Sequence, residues 1–177
     1  MPYVRLILDL LLLRRGPQDM PAGTTFLYGA AIAYCSAEFI RSFMVGMAGH
    51  AVLHALIVTL ALAVYVWLLL NWRGHVNRVP QTLSAMYCAN AAIVVLLMGP
   101  TPQIAEFIAA VAQAGPDGQL PDPPLFATLV FLVIGCWGIA VSAHIYRHAL
   151  QCHFALGLLA EIGFDFLLFF FVTALFE

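Results

Sequence analysis

Five apolar stretches dominate this chain, at approximately 24–45, 51–72, 82–98, 125–149 and 154–176. Each meets or approaches the roughly 20 residues that a helix needs to cross a hydrocarbon core about 30 Å thick. Lipid offers the backbone no hydrogen-bond partner, so a crossing segment must be a helix or a strand of a closed barrel. None of the stretches alternates with period two. The breaks between them hold the turn formers: Gly16-Pro17, 74–80, Gly99-Pro100-Thr101-Pro102 and 115–124. The pattern predicts an all-α integral membrane protein, with a five-helix transmembrane bundle occupying 22–177.

Composition agrees. Of 177 residues, 63% are hydrophobic and 9% charged, and the mean hydropathy of +0.96 lies outside the range of water-soluble domains. Seven cationic residues, all arginine, stand against nine acidic ones. No basic surface is left to hold a nucleic-acid backbone, so DNA and RNA are excluded as partners. The four cysteines, Cys35, Cys88, Cys136 and Cys152, lack CxxC spacing and read as buried thiols.

Residues 1–15 imitate a signal peptide, but Asp9 interrupts the apolar run and Arg14-Arg15 stands where small cleavage residues belong. Arg5 and Asp9 share one helix face and leucines cover the rest, which predicts a cytoplasmic interfacial helix. Residues 103–114 are too short to cross. Ile104, Phe107, Ile108 and Val111 recur at helical spacing there, as expected of a second, extracytoplasmic interfacial helix.

Arginine placement sets the expected orientation, because Lys/Arg excess marks cytoplasmic loops. Arg14, Arg15, Arg73, Arg78 and Arg147, with His148, fall on one side, whereas the connection after the third stretch carries Glu106, Asp117 and Asp122 and no cation. The N-terminus is therefore expected in the cytoplasm and the C-terminus outside, in a bacterial inner membrane. Helices in lipid associate through small residues. Gly29, Ala33 and Ala37 are expected to form the inward stripe of the first stretch, Ser84, Cys88 and Ala92 that of the third, and Gly138 with Ser142 that of the fourth. The second stretch, with Leu56, Leu60, Val64 and Leu68, reads as the lipid-facing helix.

Ionisable groups inside a span are costly and mark functional candidates. If the last two stretches turn near Cys152, His144 lies eight residues before the turn and Glu161 nine after it, both about 12 Å deep. Asp165 follows Glu161 by one helical turn, and Asn90 reaches a comparable level. An inner cluster of Asn90, His144, Glu161 and Asp165 is expected. Its two carboxylates cannot both ionise cheaply in low dielectric, so the cluster could relay protons, bind a cation, or lock helix register. Glu38, Arg41, His50 and His54 form a separate group toward the outer side, with Glu38 at i−3 from Arg41. His50/His54 and His144/His148 have i,i+4 spacing, but the pairs lie at opposite ends, so neither a metal nor any other cofactor is expected. No GxSxG elbow or Gly-rich phosphate loop is present, and no catalytic residue is assigned.

Arg78-Val79-Pro80-Gln81-Thr82-Leu83, Trp137-Gly138-Ile139-Ala140-Val141, His144-Ile145-Tyr146-Arg147-His148-Ala149-Leu150 and the opening 10–17 with its Arg-Arg-Gly-Pro resemble bacterial members of the Yip (Ypt-interacting protein) membrane family. The resemblance implies a five-helix membrane protein without established enzymatic activity, whose eukaryotic relatives act with small GTPases in vesicle trafficking. Those relatives carry a long polar N-terminal region that this sequence lacks, so GTPase binding is not carried over. The first expectation is thus a non-enzymatic membrane scaffold that binds lipid and either another membrane protein or a second copy of itself. The alternatives are a small proton- or ion-coupled carrier or channel using the Glu/Asp/His cluster, and an accessory subunit of a larger membrane complex. The absence of an internal repeat lowers the expectation of a transporter with duplicated halves.

Overall fold

The computed structural model describes residues 2–114 and 120–176. Among them it contains seven α-helices and no strand. These are α1 (Pro2–Leu11), α2 (Thr24–Met44), α3 (Ala51–Trp72), α4 (Val79–Leu97), α5 (Thr101–Ala114), α6 (Leu125–Ala149) and α7 (Phe154–Phe176). Four are long and apolar enough to cross a membrane: α3, α4 with the turn before it, α6 and α7. That is the architecture of a multi-pass α-helical membrane protein. The first apolar stretch, α2, is equally helical but is not among the four, since Glu38, Arg41 and several tyrosines and serines dilute its apolar content. Asp117 and the first half of the 115–124 spacer lie outside the described residues.

The ends of the helices follow from local chemistry. Four of them close with the backbone N–H two residues past the C-cap bonding back to the carbonyl of the third-last helical residue: Arg14 to Asp9, Met47 to Ser42, His75 to Leu70 and Cys152 to Arg147, at 2.7 to 3.0 Å. This closure needs one residue in the left-handed region, where glycine is favoured. Gly46 and Gly74 supply it in α2 and α3, whereas Leu13 and Gln151, at φ 60° and 52°, adopt it after α1 and α6. Helix α4 begins at Val79, three residues before the expected 82. Pro80 sits in its first turn, where the missing N–H would be unpaired anyway. Thr101-Pro102 opens α5 in the same way, two residues ahead of the expected 103.

Helix α4 is the hub, packing on α2 and α6 most extensively and also on α1 and α3. Residues 82–87 are all buried, so small and polar side chains alternate around it instead of following one stripe. Interhelical hydrogen bonds join the layers. Tyr87 on α4 donates to the Thr59 carbonyl of α3 at 2.9 Å, and Tyr65 on α3 donates to the Ala160 carbonyl of α7 at 2.7 Å. In lipid each such bond contributes about 0.6 kcal/mol. Gly138 and Ser142 do face inward on α6. Gly29 and Ala33 do not: they are exposed, and α2 buries Ala30, Tyr34, Ala37, Glu38 and Ser42 instead. The expected stripe is one residue, or 100° of helix rotation, out of phase, because the polar positions of α2 turn inward with the small ones. On α3 the Leu56, Leu60, Val64 and Leu68 stripe is exposed as expected, yet α6 and α7 expose still more apolar surface.

Helix α1 docks on the bundle through its C-terminal end. Leu10 and Leu11 are 0% and 5% exposed, and the Leu11 carbonyl accepts the Trp137 indole N–H from the middle of α6 at 3.0 Å. Asp9 pairs with Arg15 at 3.3 Å. Helix α5 rests against α6 and α2 with Ile104, Phe107 and Val111 half-buried and Ile108 exposed.

Candidate functional site

The polar residues of α2 recur at helical spacing: Tyr34, Glu38 and Ser42 stand one above another and face the bundle interior. Arg41 donates to Glu38 Oε2 through Nη2 at 2.7 Å and Nε at 3.1 Å, as its i,i+3 spacing suggests. Ser42 Oγ lies 2.9 Å from His54 Nδ1, linking α2 to the first turns of α3. On the opposite wall Ser142 of α6 donates to Asn90 Oδ1 of α4 at 3.4 Å, and Glu161 of α7 lies beside Ser142.

A chamber of about 240 Å³ lies between α2, α3, α4 and α7. Tyr34, Glu38, Arg41, His54, Asn90, Glu161 and Asp165 all reach its wall. The sequence separated them into an inner and an outer group. The structure merges them, because Asn90 and Asp165 each lie eleven residues beyond their helix starts, about 16 Å along, and Glu38 fourteen, about 21 Å. All three sit at middle depth.

His144 is not part of this chamber. Its Nε2 lies 3.1 Å from the Arg15 carbonyl, and its ring meets His148 edge-on at 4.5 Å. The expected depth match with Glu161 neglected azimuth: Ser142 and His144 are two residues apart, about 200° around α6, so when Ser142 faces Asn90 and Glu161, His144 faces the segment after α1. His50 ends up exposed as the N-cap of α3, outside the chamber. The basic group gathers at one end of the bundle, where Arg73 donates to the Leu150 carbonyl and Arg78 to those of His148 and Ala149. Arg14 and Arg15 follow α1, and Arg147 with His148 closes α6.

The charge balance of the chamber is uneven. Glu38 is matched by Arg41, while Glu161 and Asp165 have no ion-pair partner among the described residues. Glu161 is 6% exposed, and its Oε2 has no hydrogen-bond partner among the described residues. Asp165, one turn along α7, is exposed and also reaches the chamber wall. Among the described residues no three His, Cys, Asp or Glu side chains converge as a metal site. The arrangement is suited to holding a proton or a small cation between carboxylates.

Tyr34 and Ser42 escaped sequence reasoning, although the i,i+4 spacing of Tyr34, Glu38 and Ser42 was there to be read, and Ser142 was expected to face inward but not to stand beside Glu161. Comparison with protein-family models, with curated proteins and with solved structures finds no match. The resemblance to the Yip family therefore rests on the short motifs alone.

Proposed function

We propose that this protein is a small proton- or cation-coupled carrier or channel of a bacterial inner membrane. One observation carries the reading: Glu161 and Asp165, without cationic partners, converge with the Glu38–Arg41 pair and His54 on a chamber between four helices. A carboxylate without a cationic partner inside a span is expensive unless it takes up a proton or a cation. On this reading α2 is the fifth crossing, since 21 residues rise about 31 Å and its charged pair turns away from lipid. The arginine-rich end then faces the cytoplasm and the C-terminus lies outside.

The test is proton flux in liposomes loaded with a pH-sensitive dye, driven by a potassium diffusion potential. Wild-type protein is expected to dissipate the gradient, and Asp165→Asn and Glu161→Gln to reduce flux to the protein-free level with unchanged helical content and elution volume. Wild-type flux no greater than that of empty liposomes, under both a proton and a small-ammonium gradient, removes the carrier.

A scaffold of Yip-like architecture is the second reading. It is supported by an apolar groove of about 460 Å³ between α3 and α7, rimmed by exposed Leu60, Val64, Leu167 and Phe171. Co-purification of a defined membrane partner in mild detergent, lost on Leu167→Ala with Phe171→Ala, would support it. A lone monomer counts against it.

A further inference from the structure

A second cavity, of about 490 Å³, lies at the arginine-rich end where α4 begins and α6 stops, and the carrier reading makes no use of it. Arg78, the residue before α4, reaches across it to the last carbonyls of α6, donating to His148 and Ala149 at 3.4 and 3.3 Å. The Gln151 amide, with its oxygen turned to Arg78, accepts from both terminal nitrogens at 3.1 and 2.6 Å. These bonds offset the partial negative charge at the end of α6 and hold the guanidinium in the cavity wall.

Arg147 lines the same cavity, and neither arginine is in an ion pair among the described residues. The nearby carboxylate of Asp19 is engaged by the Gly16 N–H at 3.1 Å. Thr82 supplies an independent sign of a ligand. It lines the cavity and is 1% exposed, and its hydroxyl has no hydrogen-bond partner among the described residues. Helix α4 adds the positive end of its dipole, with no acidic residue in its first turn and no side-chain cap. Two arginines, a buried hydroxyl and the His148 imidazole around a space of ligand size match a tetrahedral anion with several acceptor oxygens.

We propose that this cavity binds a phosphate group. Trp72, 81% exposed, and Arg73 end α3 on the same side of the bundle, which sets the cavity at headgroup level, where indole rings are enriched. The phosphate is carried either by an anionic phospholipid or by a soluble anion, and two arms of one experiment separate these sources. The full chain is placed in nanodiscs of phosphatidylcholine containing graded phosphatidylglycerol, and separately in pure phosphatidylcholine with inorganic phosphate titrated against chloride at constant ionic strength. The thermal unfolding midpoint is read in both.

An upward shift in the first arm identifies a lipid headgroup, and one in the second a soluble phosphate. Arg147→Gln and Thr82→Val each raise the half-saturating content about tenfold, as the loss of one charged or buried hydrogen bond would. Arg14→Gln, which removes an exposed charge after α1, responds like wild type. A midpoint unmoved in both arms overturns the proposal. So does a full response in both cavity variants, or an equal loss in Arg14→Gln, which would mean diffuse charge attraction.

Discussion

Gly157 marks a close approach of α7 to α6, and replacing it with alanine tests how α7 is held. A Cβ at this position would collide with the Ala143 carbonyl oxygen of α6 and lie 3.0 Å from the Arg147 nitrogen and 3.2 Å from its Cβ. Carbon contacts relax at about 3.5–4.0 Å, so α7 must retreat by roughly 0.5–1 Å. The obstacle is helix backbone, which cannot swing aside. Overpacking of this kind costs about 1–3 kcal/mol, against which alanine gains about 1 kcal/mol of helix propensity over glycine. Gly135 on α6 provides the control, since a Cβ there meets nothing within 4 Å. Both substitutions share the propensity gain, so their difference isolates the steric cost, expected at about 1–3 kcal/mol. Reversible denaturation by SDS in mixed micelles, followed by tryptophan fluorescence, measures it. Glu161 and Phe164 lie one and two turns along the same face of α7, so Gly157→Ala should also withdraw Glu161 from the chamber and lower proton flux. Gly157→Ala protein as stable as Gly135→Ala protein would refute the close-contact argument.

Two further perturbations probe other contacts. Glu38→Gln leaves the Arg41 charge without its partner, and because Arg41 is 28% exposed the loss should be about 1–3 kcal/mol, below the ~3–5 kcal/mol of a fully buried pair. Adding Arg41→Met should recover most of that loss in the same denaturation assay, and a double variant no better than the single one would deny the pair its role. Trp137→Phe removes the indole donor to the Leu11 carbonyl, a loss of about 0.5–1.5 kcal/mol. Faster amide exchange confined to residues 2–16 should accompany it, and unchanged exchange there would mean that α1 is held by packing alone.

Much of the fold was legible because lipid-scale helices announce themselves through local chemistry. The bounds of α3, α6 and α7 agree with the expected 51–72, 125–149 and 154–176, where long apolar runs meet clear turn formers. Pro80 misled at α4 because proline breaks a helix interior but suits a helix start. The docking of α1 on α6 was not legible, because its leucines look the same whether they face lipid or the Trp137 side of α6. Gly157 stood in an apolar run with no mark distinguishing it from Gly163, whose added Cβ would meet only the side-chain hydroxyl of Tyr65 at 3.2 Å.

Helix positions, the polar complement of each helix and the collection of arginines at one end belong to the chain's local order, since propensity, turn chemistry and hydropathy act over a few residues. Which polar groups meet was decided by rotation. A shift of one residue turns a helix face by about 100°, and only the packing of α2, α4, α6 and α7 on one another set those rotations. That is why Glu161 lies beside Ser142 and shares a cavity with Asn90 rather than meeting His144, and why two groups assigned to opposite sides of the membrane share one chamber.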